Sequence, residues 1–149
     1  MDTQTLIENF GGQILDVHEF RDEVTLTVSP KGLLHICRFL KEDERFDFVI
    51  LSDLCGLDRY PQTPRFAVVY NLYSLSRAHR LRLKTFLDEK TPRVDSVVSI
   101  WEGANWLERE CFDLFGIHFD NHPELKRILL PDTFEGYPLR KDFPLQGRD

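Results

Sequence analysis

The sequence predicts an α+β domain, a largely antiparallel sheet with helices on one face, followed by an extended C-terminal tail. Three observations lead there. Segments of period-two alternation bounded by turn residues recur through the first two-thirds of the chain. Around them lie stretches whose apolar residues return at helical spacing. After Gly116 neither period persists, and four of the eight prolines, Pro123, Pro131, Pro138 and Pro144, fall in what remains. With 149 residues the chain is the size of one domain and buries enough surface to fold without staples. Residues 1–116 are therefore assigned to the α+β domain, and 117–149 to an extended C-terminal segment.

Residues 3–10 read as a short helix, with Leu6, Ile7 and Phe10 on one side and Gly11-Gly12 ending it. Residues 13–19 alternate through Leu15 and Val17. After the polar turn Arg21-Asp22-Glu23, Val24, Leu26 and Val28 alternate with Thr25 and Thr27, which predicts a hairpin with one buried face. Ser29-Pro30 is a helix start, because Ser can accept from orphan N–H groups and Pro loses nothing at the first helical position. Leu33, Ile36, Cys37 and Leu40 then mark one buried helical stripe. FDFVIL (46–51) and FAVVYNLYSL (66–75) are aromatic and β-branched enough for strands, with GLDRYPQTP as the loop between them. Residues 79–87 alternate through Leu81 and Leu83 and pair back across Ser76-Arg77-Ala78. Residues 94–115 carry helical spacing, interrupted near Gly103 and stopped at Gly116.

Composition excludes whole classes of function. A formal charge of −6 is a poor field for displacing counterions from phosphates, so nucleic acid is not an expected partner. The first residues have no basic region followed by an apolar run, so no secretory signal is expected there. No uninterrupted apolar stretch reaches the ~18 residues of a membrane span, so membrane association is expected only through a partner. Cys37, Cys55 and Cys111 are odd in number, far apart and never C-x-x-C. They read as reduced, buried structural thiols rather than cluster ligands.

The stretch WLERECFDLFGIHFDNHPELKRILLPD (106–132) concentrates groups able to do chemistry. Glu108 and Glu110 on a helix diverge by roughly 160°, too far to converge on one bond as a carboxylate pair must. Both fall inside the apolar arc, while Arg109 and Asp113 take the other face. A carboxylate on an apolar face is costly to bury unless paired. Lys126, Arg127, Arg140 and Lys141 are the candidate cations, along with groups from another protein. His118 and His122 have the i, i+4 spacing of zinc ligands. They follow the helix-ending Gly116, however, so an extended backbone holds them apart. No G-x-G-x-x-G, Walker or G-x-S-x-G pattern occurs. No active site is expected.

The same residues carry a resemblance. Glu108-Arg109-Glu110, then Asp113-Leu114-Phe115, His122, Lys126 and Ile128-Leu129 at their spacings resemble the signature of the 30-kilodalton subunit family of respiratory complex I, in bacteria the C subunit of NADH-quinone oxidoreductase. RILLPDTFEGYPLRKDFPL, with Arg140, Lys141 and Asp142, is similar to the family as well. The resemblance is sharp over residues 101–145 and architectural before that.

It implies a cofactor-free structural subunit of the peripheral arm of a proton-translocating enzyme. Such a subunit packs against the quinone-site D subunit and lies near the B and I subunits, which carry Fe–S clusters. NADH, FMN, Fe–S clusters and quinone are bound by or between other members of the complex. The location implied is peripheral, on the cytoplasmic side of the bacterial inner membrane, in a stand-alone form of the subunit. The homologous subunit of a membrane-bound hydrogenase or another complex I-like complex is the alternative that the motif separates poorly. In this context residues 131–149, with Phe134, Tyr137, Leu139, Phe143 and Leu145 spaced along a proline-rich strand, suit a belt laid across the neighbouring protein.

Overall fold

A computed structural model of the chain describes residues 1–146. Helix α1 (Thr3–Phe10) begins where the Asp2 side chain accepts from Thr5 N, and it buries Leu6. Strands β1 (Ile14–Phe20) and β2 (Glu23–Val28) form the predicted hairpin. Arg21 and Asp22 at the turn both take positive φ, the twist that tight hairpins prefer. Only β2 buries a regular face. Leu15 is 62% exposed and Phe20 60%; β1 is an edge strand beyond the reach of the helices, so its alternation does not mark a core face.

Helix α2 (Leu33–Glu42) buries Leu33, Ile36, Cys37 and Leu40, as its stripe predicts. It starts later than Ser29-Pro30. Those residues open a turn in which the Ser29 carbonyl accepts from both Gly32 and Leu33. The strand expected at 46–51 is displaced: β3 runs Ile50–Asp58. Phe46 and Phe48 are buried from a loop, where the Phe46 and Asp47 N–H groups return to the Asp43 carbonyl and that of Phe48 to Leu40. Their aromatic alternation is loop anchoring rather than strand pleat. At the other end, Gly56, Leu57 and Asp58 are strand rather than loop, paired to Val68, Ala67 and Phe66.

Strands β4 (Phe66–Ser74) and β5 (His79–Leu87) follow as expected. The sheet order is β1-β2-β5-β4-β3, antiparallel except that β5 lies parallel to β2. The core cluster joins Leu6, Ile36, Leu40, Ala104 and Cys111 of the helices to Leu26, Leu54, Val68, Tyr70, Leu72 and Leu83 of the sheet. The helices thus share one face, as the sequence implies.

The helical pattern read from 94 onward resolves into three pieces. Strand β6 (Arg93–Asp95) comes first, then turns burying Val97, Ile100 and Trp101, then helix α3 (Ala104–Phe115). Strand β7 (His118–Asp120) pairs in parallel with β6, which explains the apparent periodicity at Val94: it packs as a strand residue opposite Phe119. Cys37 and Cys111 are buried, but Cys55 is exposed, since its β3 position faces away from the helices.

Candidate functional site

The signature residues converge on α3 and the segment that crosses it. Asp113 is the centre. Its side chain is fully buried, although the helical wheel puts it on the outer face, because residues 127–130 lie over that face. One oxygen, Oδ2, accepts from three consecutive amides, those of Ile128, Leu129 and Leu130, at 3.1, 2.8 and 2.9 Å. The other accepts from the Arg127 guanidinium at 2.7 Å. Burial alone would push this carboxyl up. The N–H groups of Leu130, Leu129 and Ile128, together with Arg127, outweigh burial and hold it below the usual carboxylate range. Arg109 works from the neighbouring turn, donating through Nε to the Lys126 carbonyl and through Nη2 to that of Arg127, both at 3.0 Å.

Glu108 lies on the inner side of α3 and is also fully buried. Ser96 Oγ donates to Oε2 at 2.6 Å and Val97 N–H to Oε1 at 2.7 Å. Burial pushes its pKa up to about 7, and these two bonds pull only partly against it. The expected cation is absent among the described residues. The nearest basic group is the ring of His122, whose Nε2 is 3.9 Å away. That ring receives the Glu124 N–H on Nδ1 at 3.0 Å and approaches the Asn105 carbonyl through Nε2 at 3.2 Å. Burial lowers its pKa, so His122 is a neutral structural connector. His118 is exposed and faces Asp120; the two histidines sit in different surroundings and do not form a pair.

A third knot ties the tail to the sheet. Arg65, 4% exposed, meets Asp58 through Nε and Nη2 at 2.9 and 2.8 Å, Glu89 at 2.8 Å and Asp142 at 2.9 Å. Arg65 first of all holds the Asp58 carboxyl well below its usual range; burial opposes this, and the Lys141 and Tyr60 N–H groups reinforce it. Arg140 donates to the Phe115 carbonyl at 2.7 Å and its guanidinium lies over the Phe66 and Tyr137 rings. Leu139 N–H reaches the Leu114 carbonyl at 3.1 Å. Gly116 ends α3 at φ +73, and a Cβ there would meet Tyr137 at 2.6 Å and Arg140 at 2.7 Å.

The four cations expected to serve the glutamates therefore go elsewhere. Lys126 pairs with Glu124, Arg127 with Asp113, Arg140 with a carbonyl and two rings, and Lys141 contributes its backbone. Glu110 is exposed, with no ion pair among the described residues, so its burial within the chain is corrected. The wheel places Asp113 outward because it takes α3 to be covered by the sheet alone, whereas residues 128–130 cover Asp113 as well. Asp58 and Arg65 escaped sequence reasoning, since Asp58 falls in the loop reading of GLDRYPQTP and Arg65 lies between that loop and the strand expected from Phe66; their opposite charges seven residues apart were the available signal. Outward from this junction point Trp106, 62% exposed and under the Arg109 guanidinium, Leu129 at 61% and Leu139 at 52%.

Comparison with known proteins identifies the family. A family model described as "Respiratory-chain NADH dehydrogenase, 30 Kd subunit" matches residues 26–149. The chain is 50% identical over 145 residues to the C subunit of NADH-quinone oxidoreductase from Geobacter sulfurreducens, covering 97% of this chain and 88% of the relative. It is 46% identical over 142 residues to the C 2 subunit of the same enzyme from Rhizobium meliloti, covering 95% and 78%. Similarity thus extends well before residue 101. Among solved structures, the trypsin-resistant fragment of Nqo5 superposes with a TM-score of 0.67 at 30% identity, covering 84% of this chain and all of that one. A chain of an archaeal membrane-bound sulfane sulfur reductase gives 0.77 at 21% identity, covering 97% and 87%, a likeness of fold.

Proposed function

We propose a function from one premise: the chain belongs to the family of the respiratory-chain NADH dehydrogenase 30 Kd subunit. Its relatives are subunits of NADH-quinone oxidoreductase, and its partners are other members of that complex. Within that frame the chain is a structural, cofactor-free component of the peripheral arm. It supports electron transfer from NADH to quinone by packing against the quinone-site D subunit, near the Fe–S-carrying B and I subunits. It sits on the cytoplasmic side of the inner membrane and reaches the membrane only through the complex. Among the described residues, no helix is long and apolar enough to cross a bilayer.

One observation carries the reading. The ionisable signature residues with partners, Glu108, Arg109, Asp113, His122 and Lys126, bond within this chain, while Trp106, Leu129, Leu139 and the free carboxylate of Glu110 face outward beside them. The charged residues build the junction, and the apolar ones are the anchors it presents. Aromatic anchors such as Trp106 commonly dominate interfaces between proteins, and neighbouring apolar contacts exclude water around them. The test is the double variant Trp106→Ala/Leu129→Ala. Its isolated-chain stability is expected within about 0.5 kcal/mol of the parent, because both side chains are exposed, while co-purification with the quinone-site protein and quinone reductase activity of the membranes are lost. Normal assembly of that variant overturns the proposed interface. Stoichiometric flavin, iron or zinc in the chain purified anaerobically overturns the cofactor-free role.

A further inference from the structure

Glu108 stands where several elements meet. Ser96 and Val97 reach it from the turn after β6, and His122 from the loop after β7. Cys37 of α2, Tyr70 of β4 and Cys111 of its own helix lie within its electrostatic reach, and Asp95 of β6 acts on Tyr70. None of these groups is a fixed cation. A carboxylate without exposure and with two neutral donors is stabilised far less than one in an ion pair. Two further donors stand nearby. The Tyr70 hydroxyl is buried, with no hydrogen-bond partner among the described residues. The His122 ring has its Nδ1 lone pair occupied by the Glu124 N–H, so its proton resides on Nε2, aimed at the Asn105 carbonyl 3.2 Å away. That Nε2 is 3.9 Å from Glu108 Oε2, so a small swing of the ring exchanges one acceptor for the other.

We propose that Glu108 is an internal proton-controlled switch. With its carboxyl protonated, His122 stays bonded to the first turn of α3; with the carboxylate ionised, the His122 Nε2–H turns from the Asn105 carbonyl to Glu108. The proton leaves Glu108 to solvent, and the imidazole remains neutral in both states. The loop that moves leads directly into the Lys126–Leu130 segment held by Arg109 and Asp113. A proton bound in the core therefore alters the outer surface. This device belongs to the chain itself and stands whichever partner occupies that surface.

The test is an NMR titration of the isotope-labelled full chain between about pH 5.5 and 8.5, a range that spans neutrality. One glutamate carboxyl carbon is expected to titrate with a midpoint of about 7. The His122 imidazole nitrogens move with the same midpoint. In Glu108→Gln the His122 signals hold their low-pH positions across the range. The proposal fails if every glutamate titrates in the ordinary carboxylate range, or if His122 moves in Glu108→Gln as it does in the parent. Should the variant not fold, the parent decides alone: different midpoints for the carboxyl and the ring overturn the switch.

Discussion

Two buried carboxylates on one helix respond to pH in opposite senses. Glu108 rises from an ordinary value of 4.5 to about 7 on folding, so between those values the folded chain binds more proton than the unfolded one. Its contribution to stability is fully present below about 4.5, declines as pH rises and levels off above 7. The full span is about 3 kcal/mol. Urea unfolding at pH 5 and pH 8 is expected to show that decline, and Glu108→Gln to flatten it. Asp113 is depressed relative to 3.8, so its contribution is present above that value and is lost as pH falls through the folded value. Asp113→Ala strands three amides and the Arg127 guanidinium, and about 3–5 kcal/mol of stability should go with it, read from the same urea curves. Glu110→Gln, by contrast, leaves the isolated chain unchanged within about 0.5 kcal/mol, since Glu110 is exposed.

The element most instructive to compare with its sequence is α3. Its end at Gly116 and the burial of Cys111 were legible, because glycine termination and apolar spacing are local signals. The burial of Asp113 was not, because the cover comes from residues 127–130, in a segment with no period of its own. Likewise the β4–β5 pairing could be read from alternation and a short turn, whereas Phe46 and Phe48 mimicked a strand while anchoring a loop. The tail contacts converge on the helix end, which makes Gly116→Ala a direct probe. The substitution forces a side chain into positive φ and into Tyr137 and Arg140. It should cost about 1–3 kcal/mol and open the Arg140-Lys141 bond to trypsin before the rest of the chain unfolds. Removing everything after Leu130 deletes Asp142 and Lys141 from the Arg65 knot but leaves Arg65 paired twice to Asp58. Such a fragment should still unfold cooperatively, at a lower Tm, and fail to bind the quinone-site protein. Loss of cooperativity would make the tail part of the core.

At the scale of the whole molecule, the sheet gives its helical face to the core and the tail fastens the far ends together. The depressed carboxyls of Asp58, Asp113 and Asp142 all belong to these fastenings, so acid should release the tail before it melts the sheet. Circular dichroism and the fluorescence of Trp106 beside the tail would then report separate transitions below about pH 4. The Arg65 knot also has a consequence in time. Its partners lie 7, 24 and 77 residues away along the chain, and contacts of long separation form after the short ones have reduced the entropy of closing the loop. Asp142 is expected to reach its guanidinium after Arg65 and Glu89 have met. The Lys141 amide, which donates to Asp58 in the same knot, should therefore be among the last protected in pulse-labelled hydrogen exchange during refolding. On the proposed interface, a half-folded chain would lack the finished docking surface, so order of folding would itself act as an inspector, admitting to the larger assembly only those copies that have completed their sheet.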